Sequence, residues 1–255
     1  MDCCEIADQF DDELRTEAYA DIDASANGLQ IGPDGASVEH AAFAVDAAVE
    51  TIEAATEANA DLLVTHHGIS FGGIERVTGN DYDRIATAIE NDLALYTSHL
   101  PLDGHQELGN AAGIADVLGL VDRSPFGEMG PEHVGQGGRA PDALALGDVQ
   151  DTLQEALDTG AYDVRALGFG PDEISEVAVV TGSGVDWLGE AVDAGADLLI
   201  TGEGKQYVYH EARESGINLV LGGHYATETF GVRNLQETVE QWGIETTFID
   251  CPTGL

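Results

Sequence analysis

Lysine is almost absent from this chain. Of its 255 residues, 9 are basic and 48 are acidic, so the formal net charge is −39, and Lys205 is the one lysine. Nucleic acid is not expected as a partner, because phosphate backbones are bound by patches of Lys and Arg.

The acids are spread over surface-like segments. This pattern predicts adaptation to a salt-rich cytoplasm, as in halophilic archaea, because molar salt screens the repulsion between them. The alternative, a basic partner bound on an acidic face, would need a local acidic cluster that the sequence does not show.

Long apolar runs and cysteine motifs are also missing. No segment approaches the roughly 20 apolar residues that a membrane-spanning helix needs. The N-terminus, Met1-Asp2-Cys3-Cys4-Glu5, is acidic and does not resemble a signal peptide. Cys3, Cys4 and Cys251 have no CxxC spacing, which argues against a thiolate zinc site. We therefore expect a cytoplasmic globular protein with no membrane partner.

An internal repeat organises most of the chain. Residues 41–68 align without a gap onto residues 177–204, and Ala-Asp-Leu-Leu occurs at 60–63 and again at 196–199. Each copy reads as a short apolar strand, a helix with apolar residues three and four apart, and a second strand that ends in Thr. A third strand, at 93–96 and 217–220, and a closing helix follow in both copies. The pattern predicts two related α/β units with mixed, mostly parallel sheets covered by helices.

The predicted boundaries follow from this repeat. Residues 1–122 are expected to form the first α/β unit and residues 177–255 the second. The stretch 123–176 has no counterpart and is rich in Gly and Pro. It is therefore predicted to be a linker with a less regular insert.

Paired histidines follow the second strand of the first copy. His66 and His67 stand between Thr65 and Gly68. Adjacent residues of a strand face opposite ways, so both rings can reach one site only if the chain leaves the strand there. A loop at the carboxyl end of a strand is where open α/β sheets place their ligands. Two surface histidines on a loop remain the alternative.

Two further pairs combine a histidine with a carboxylate four residues later. His99 and Asp103 follow the third strand of the first copy, and Pro101 between them predicts a loop. His224 and Glu228 follow the third strand of the second copy and share one face if a helix starts there. Their corresponding positions in the two copies favour two half-sites that face each other.

Imidazole and carboxylate ligands without thiolate suit Zn, Fe, Mn or Ni. Five or more such ligands exceed what one tetrahedral zinc ion requires. Two divalent ions, roughly 3.5–4 Å apart and bridged by a carboxylate and a water, would use them all. Because each copy supplies an incomplete set, the sequence predicts a metal site in the cleft between the two units.

Three other segments leave their roles open. Thr181-Gly182-Ser183-Gly184 joins a strand to a helix and predicts either an anion site at the helix N-terminus or a tight turn. The strand bounded by Gly28 and Gly32 either lines a cleft or only turns the chain. His210 is either a proton-transfer residue beside the metal ligands or a solvated helix histidine.

Taken together, these segments resemble the NGG-interacting-factor-like family of dinuclear metal proteins, whose members carry the name GTP cyclohydrolase type-two homologue. The matching pieces span nearly the whole chain in the family's order: residues 27–32, 65–67, 98–103 with Asn110, 181–184, 196–203 and 223–228. Relatives carry a bulky apolar residue or Pro after the paired histidines, where this chain has Gly68. That departure touches the shape of the pocket and leaves the ligands in place.

The resemblance implies that His66, His67, Asp103, His224 and Glu228 bind two divalent metal ions. It places His99 and His210 nearby as candidates for proton transfer in catalysis. It also implies a toroidal homohexamer with metal sites facing an inner cavity.

Two functions are open from the sequence. The first is a metal-dependent hydrolase that acts on a nucleotide or another phosphorylated small molecule, with His99 or His210 moving protons. The second is a non-enzymatic metal chaperone or interaction scaffold. A small anionic substrate is expected only for the first.

Overall fold

The structure is a computed structural model that describes residues 1–33 and 35–254. It divides into two compact units, residues 1–102 with 231–251, and residues 103–230 with the last residues from Pro252 onward. The strands are β1 Gly28–Ile31, β2 His40–Asp46, β3 Leu62–His67, β4 Ala94–Thr97, β5 Val121–Met129, β6 Glu132–Leu144, β7 Arg165–Leu167, β8 Ile174–Val179, β9 Leu198–Thr201, β10 Asn218–Leu221 and β11 Glu245–Phe248. The α-helices are α1 Cys3–Leu14, α2 Val49–Glu57, α3 Asn80–Glu90, α4 Leu100–Gly104, α5 Asn110–Val117, α6 Leu146–Ala156, α7 Leu188–Asp193, α8 Val208–Ser215, α9 His224–Thr227 and α10 Thr229–Gln241. Two 3₁₀ turns lie at Thr16–Tyr19 and Gly184–Trp187.

The first unit is built on a five-stranded sheet in the order β1-β4-β3-β2-β11. Strands β11, β2, β3 and β4 run parallel to one another, and β1 is antiparallel to β4. Ile52 of α2 and Ala88 of α3 are buried in one cluster with Leu63 and Leu95 of the sheet. Their burial explains the apolar spacing of the helices.

The second unit is built on a six-stranded sheet in the order β5-β6-β8-β9-β10-β7. Strands β8, β9 and β10 are parallel, and β5, β6 and β7 join the sheet in antiparallel pairs. Ile114 of α5 and Leu153 of α6 are buried against Ile200 and Val220. The prediction of a mixed α/β architecture with helix-covered sheets is confirmed. The first sheet is mostly parallel, whereas the second has two parallel and three antiparallel pairings.

The repeated Ala-Asp-Leu-Leu motif has the same structural role in both units. Asp61 Oδ2 accepts hydrogen bonds from the backbone N–H groups of residues 39 and 40, at 2.8 and 3.0 Å. Asp197 Oδ2 accepts from residues 175 and 176 at the same two distances. Each aspartate therefore joins the start of one parallel strand to the start of its neighbour, which explains why the repeat contains this residue.

The stretch 123–176 is more regular than predicted. It contains most of the β5–β6 hairpin, together with α6 and β7. Three of the glycines that suggested a linker, at positions 135, 137 and 138, lie inside β6. A side chain at Gly135 would overlap the carbonyl oxygen of Val179, and one at Gly138 would press on Leu120. Glycine in a strand marks such close approach of neighbouring chain. The unit boundaries also differ from the predicted ones, because β11 near the chain's end pairs with β2.

Two local predictions are wrong. The sequence predicts a loop from His99 to Asp103, but α4 covers Leu100–Gly104. Pro101 lies in the first turn of this helix, where a backbone N–H would have no intrahelical acceptor, so proline is tolerated. The sequence also predicts that the chain leaves the strand at the paired histidines, but β3 continues through His67, which pairs with Asp46 of β2. None of the helices in the described ranges has the length and apolar character to cross a bilayer.

Candidate metal centre

Three histidines of the first unit form a cluster at the carboxyl ends of β3 and β4. The ring centroids of His66 and His67 are 4.6 Å apart, and that of His99 lies 5.1 and 5.6 Å from them. One nitrogen from each ring lies within 4.8 Å of the other two. Although the strand does not end before the pair, His66 and His67 occupy its last two positions. At the end of a strand, the ring of either residue can extend beyond the edge of the sheet, although the two Cβ atoms point to opposite faces.

Each of these rings is held through its Nδ1 atom. His66 Nδ1 lies 2.9 Å from the carbonyl oxygen of Ser98, and His67 Nδ1 lies 2.8 Å from Asp46 Oδ1. His99 Nδ1 lies 2.9 Å from Asp23 Oδ1. Since all three partners are acceptors, the rings donate through Nδ1–H, and in the neutral rings Nε2 carries the lone pair. This arrangement, with an oxygen acceptor behind each ring, is the usual way proteins orient metal-binding histidines.

Asp23 and Asp46 are contributors that the sequence reasoning missed. The side chain of Asp23 is almost fully buried. Burial opposes its ionisation, but the hydrogen bond and charge of His99, with hydrogen bonds from Asn27 and the Ser25 N–H, outweigh burial and lower its pKa. Asp46 is the last residue of β2 and lies beside His67. Its position, an acid at the carboxyl end of a predicted strand, was the sequence signal that could have identified it as a partner of the paired histidines. Nothing in the spacing of Asp23 pointed to it.

In the second unit, His224 and Glu228 lie together around α9. His224 Nε2 is 3.2 Å from Glu228 Oε2, and His224 Nδ1 is 3.4 Å from Glu203 Oε1. Burial lowers the pKa of His224, but the hydrogen bonds and charges of Glu228 and Glu203 outweigh it and raise that pKa to about 9. The expectation that His224 and Glu228 share one face of a helical segment is confirmed. Glu203, at the end of the repeated strand, is a further neighbour.

Asp103 belongs to the second compact unit, not to the unit that contains the first repeat. Its carboxylate is buried and accepts hydrogen bonds from Asn110 Nδ2, at 2.8 Å, and Thr181 Oγ1, at 3.2 Å. Both donors bond to the same oxygen, Oδ1, so they fix the direction in which the carboxylate points. The second unit thus holds three of the candidate ligands: the buried carboxylates of Asp103 and Glu228, and the imidazole of His224.

The turn at residues 181–184 makes room for Glu228. Gly182 has a φ of +57°, and a side chain there would overlap Glu228 Oε1. The backbone N–H groups of Gly182 and Gly184 already donate to the hydroxyls of Thr227 and Thr201. Of the two interpretations of this turn, the structure supports the tight turn over the anion site.

Gly68, the departure from the family pattern, also makes room for a neighbour. A side chain at this position would overlap the amide group of Gln30. Gln30 lies on β1, where it accepts a hydrogen bond from the Ile69 N–H and donates to the Ala26 carbonyl. The predicted strand after Gly28 is confirmed, and its Gln30 occupies the space beside the paired histidines.

His210 is exposed on α8, and its ring contacts Tyr209 edge-on at 5.4 Å. No described group of candidate metal ligands includes it. The solvated helix histidine is the alternative that this position fits better, and a proton-transfer role for His210 stays a prediction.

The donors of both units suit a divalent metal of the kind predicted. Nitrogen from imidazole and oxygen from carboxylate are borderline-hard ligands that fit Zn, Fe, Mn or Ni. A buried carboxylate is stable only when a cation or hydrogen bonds compensate for its lost solvation. The residues present therefore fit a metal ion, while the number of ions and a shared position in a cleft stay predictions.

Comparison with known proteins gives one consistent result. The family model described as Duf34/NIF3 (NGG1p interacting factor 3) matches residues 1–253. A Halobacterium salinarum protein named GTP cyclohydrolase 1 type 2 homolog is 54% identical over 255 residues, covering 100% of both chains. An Archaeoglobus fulgidus protein of the same name is 41% identical over 256 residues, with the same coverage. The crystal structure of TTHA1606 from Thermus thermophilus is 36% identical, covers 100% of both chains and superposes with a TM-score of 0.90.

Proposed function

Because this chain belongs to the Duf34/NIF3 (NGG1p interacting factor 3) family, we propose that it is a metal-dependent hydrolase of a nucleotide or another phosphorylated small molecule. The observation that carries the proposal is the histidine cluster of the first unit. Three imidazoles offer nitrogens within 4.8 Å of one another, and each is oriented by an oxygen acceptor behind it. Such preparation of three rings is expected of a metal site.

His66, His67, Asp103, His224 and Glu228 are proposed to hold two divalent ions. When bound, such ions would polarise the substrate and make a water molecule more acidic. The remaining work belongs to the chain. Asp46 and Ser98 fix the rings of the first unit, and Asn110 with Thr181 fixes Asp103.

His99 is proposed to move the proton. Its Nδ1–H is held by the buried carboxylate of Asp23, which stabilises the imidazolium that forms when Nε2 takes a proton from water. The same ring could then return the proton to the leaving group. Because a nitrogen of His99 lies as close to His66 and His67 as metal ligands do, the alternative role is a third imidazole ligand.

The test is hydrolysis by metal-loaded protein in molar KCl. Protein stripped with chelator is reloaded separately with Zn, Fe, Mn or Ni and assayed on GTP, other nucleotides and simple phosphoesters. Phosphate release reports phosphoester hydrolysis, and formate release reports opening of the guanine ring, the reaction that the relatives' name suggests. Turnover that requires metal supports the proposal. Stoichiometric metal without turnover on any of these substrates would favour the chaperone or scaffold instead.

Variants separate the roles. His67→Ala and Glu228→Ala should each lose at least one ion by elemental analysis and lose turnover, whereas the control His133→Ala should keep both. His99→Ala should keep its metal and lose turnover if His99 moves the proton. Loss of metal in His99→Ala would make it a ligand, and full metal occupancy in His67→Ala and Glu228→Ala would remove the ligand assignment.

A further inference from the structure

The second unit contains a cavity in which the chain's scarce basic residues meet. It has a volume of about 210 Å³ and is lined by Arg165, Lys205, Gln206 and Tyr209, with Leu167 and Leu221 among its apolar walls. Nine basic residues among 255 would place fewer than one in a lining of this size by chance. This cavity has two, and one of them is the chain's single lysine.

The acids around this cavity balance its charges only in part, because Lys205 has an acidic partner and Arg165 has none among the described residues. Lys205 Nζ donates to Asp186 Oδ2 at 2.6 Å, and Tyr207 donates to the other oxygen of the same carboxylate. Lys205 has two further N–H groups. Arg165 forms no ion pair with any residue that the structure describes, although acids outnumber bases 48 to 9 in this chain. Its guanidinium is therefore available to an anion from outside.

The size and donors of the cavity suit one phosphate group. Pockets that enclose a drug-sized ligand are roughly 300–1,000 Å³, so about 210 Å³ suits a single group of a larger molecule. Arg binds phosphate through two parallel N–H bonds, and Lys binds it as a point charge. Gln206 and Tyr209 add an amide and a hydroxyl donor.

We propose that the cavity lined by Arg165 and Lys205 binds the phosphate of the substrate, a deepening of the proposed function on which it rests. Its walls adjoin the candidate ligands of the second unit. Gly204 follows Glu203, whose carboxylate contacts His224, and Leu221 lies three residues before His224. We therefore expect the rest of a phosphorylated molecule held here to extend toward the segments that carry Glu203 and His224.

The experiment measures phosphate binding without metal, so that it does not depend on the hydrolase. Inorganic phosphate and pyrophosphate are titrated into chelator-stripped full-length protein in molar KCl, and binding is followed by ³¹P NMR line broadening and calorimetry. Arg165→Gln and Lys205→Gln should each weaken binding by about ten-fold or more, because each removes a charge-assisted hydrogen bond. Arg213→Gln is the matched control, because Arg213 is an exposed arginine on α8 that does not line the cavity. It should bind as the parent does.

The outcomes separate the two proposals. If the parent binds phosphate and Arg165→Lys binds it better than Arg165→Gln does, the phosphate site is supported. If the same parent protein shows no turnover when loaded with metal, the hydrolase proposal is removed while the phosphate site remains. If the parent does turn over substrate, but neither cavity variant changes KM or phosphate binding, the hydrolase proposal is kept and the phosphate site is removed. Absence of phosphate binding to the parent protein, or equal loss in Arg213→Gln, would overturn the cavity as a phosphate site.

Discussion

Gly182 leaves room for two candidate metal ligands of the second unit, His224 and Glu228, because it has no side chain. The φ of Gly182 is +57°, which lies in the left-handed region. A Cβ atom at this position would overlap Glu228 Oε1 and would lie close to His224 Nε2. Both the backbone conformation and the space therefore require glycine here. The position of Glu228 depends on a residue 46 places earlier in the sequence.

We predict that Gly182→Ala destabilises the protein and displaces Glu228. A left-handed alanine alone costs about 1–2 kcal/mol, and the overlap with the carboxylate adds to it. Gly189→Ala is the control, because Gly189 has open space around it in α7 and should gain up to about 1 kcal/mol. Thermal melts and elemental analysis check both variants. Normal metal content and stability in Gly182→Ala would show that Glu228 is not held where the structure places it.

His224 leads to a prediction about protons. Its pKa of about 9 in the metal-free protein lies above the ordinary 6.5, so the ring carries a proton at neutral pH. A metal ion that binds this ring must displace that proton, so affinity should rise with pH up to about 9 and then level off. In weakly buffered solution near pH 7.5, saturation with zinc should release about one more proton per chain from the parent than from His224→Gln.

The matched control for this measurement is His133→Gln, which should release as many protons as the parent. Equal proton release per chain from the parent and from His224→Gln would mean that His224 is either unprotonated or not a ligand.

At the scale of secondary-structure elements, β11 completes the first sheet from the far end of the chain. The N–H groups of Glu245 and Ile249 donate to carbonyls of residues 39 and 43, so the N–H of Thr247, which alternates with them, also faces β2. A fragment ending near residue 122 would lack this strand, and its loss of metal binding would say nothing about ligands. Tests of the metal site therefore need the full chain.

We predict that Thr247→Pro lowers the free energy of unfolding by roughly 1–3 kcal/mol more than Thr246→Pro does, because only the former removes an N–H that bonds to β2. Denaturant unfolding of the two variants measures the difference. The hydroxyls of Thr246 and Thr247 also form hydrogen bonds, with Glu240 and His40, so Thr246→Val and Thr247→Val variants correct for those losses. Equal effects of the two prolines would contradict the register of β11 on β2.

The elements that bear the ligands could be predicted from sequence as far as their order and type. Periodicity identified β3, β4, β9 and β10 and the helices that cover them. Periodicity did not identify α4 or the extension of β3 to His67, because helix ends and strand ends depend on neighbouring chain more than on local pattern. The β5–β6 hairpin was missed for a similar reason, since its glycines serve close packing between strands.

At the scale of the whole molecule, charge dominates. A net charge of −39 repels itself, and the Debye length grows from about 3 Å in 1 M salt to about 30 Å in 0.01 M. We predict that the melting temperature falls markedly as KCl is lowered from molar to millimolar concentration. Sorbitol at matched osmolality is the control, because it leaves the repulsion unscreened. A melting temperature that does not change with KCl would show that the fold tolerates its charge without screening.

The homohexamer implied by the family resemblance stays a prediction, as does the cytoplasmic location. Sedimentation velocity in molar KCl measures the mass of the particle against the 26.7 kDa of one chain. The same experiment at low salt shows whether repulsion between subunits separates them before the fold itself is lost.

The sequence by itself determined the α/β class, the repeat, and the identity of the candidate ligands, because periodicity and residue chemistry are local properties. The tertiary structure decided which acids hold the histidines, because Asp23 and Asp46 are 76 and 21 residues from their rings and meet them only in the folded chain. It also decided that the chain's last strand belongs to the first unit and that Arg165 and Lys205 share a cavity. Such meetings arise from the packing of distant segments, which a local pattern cannot encode.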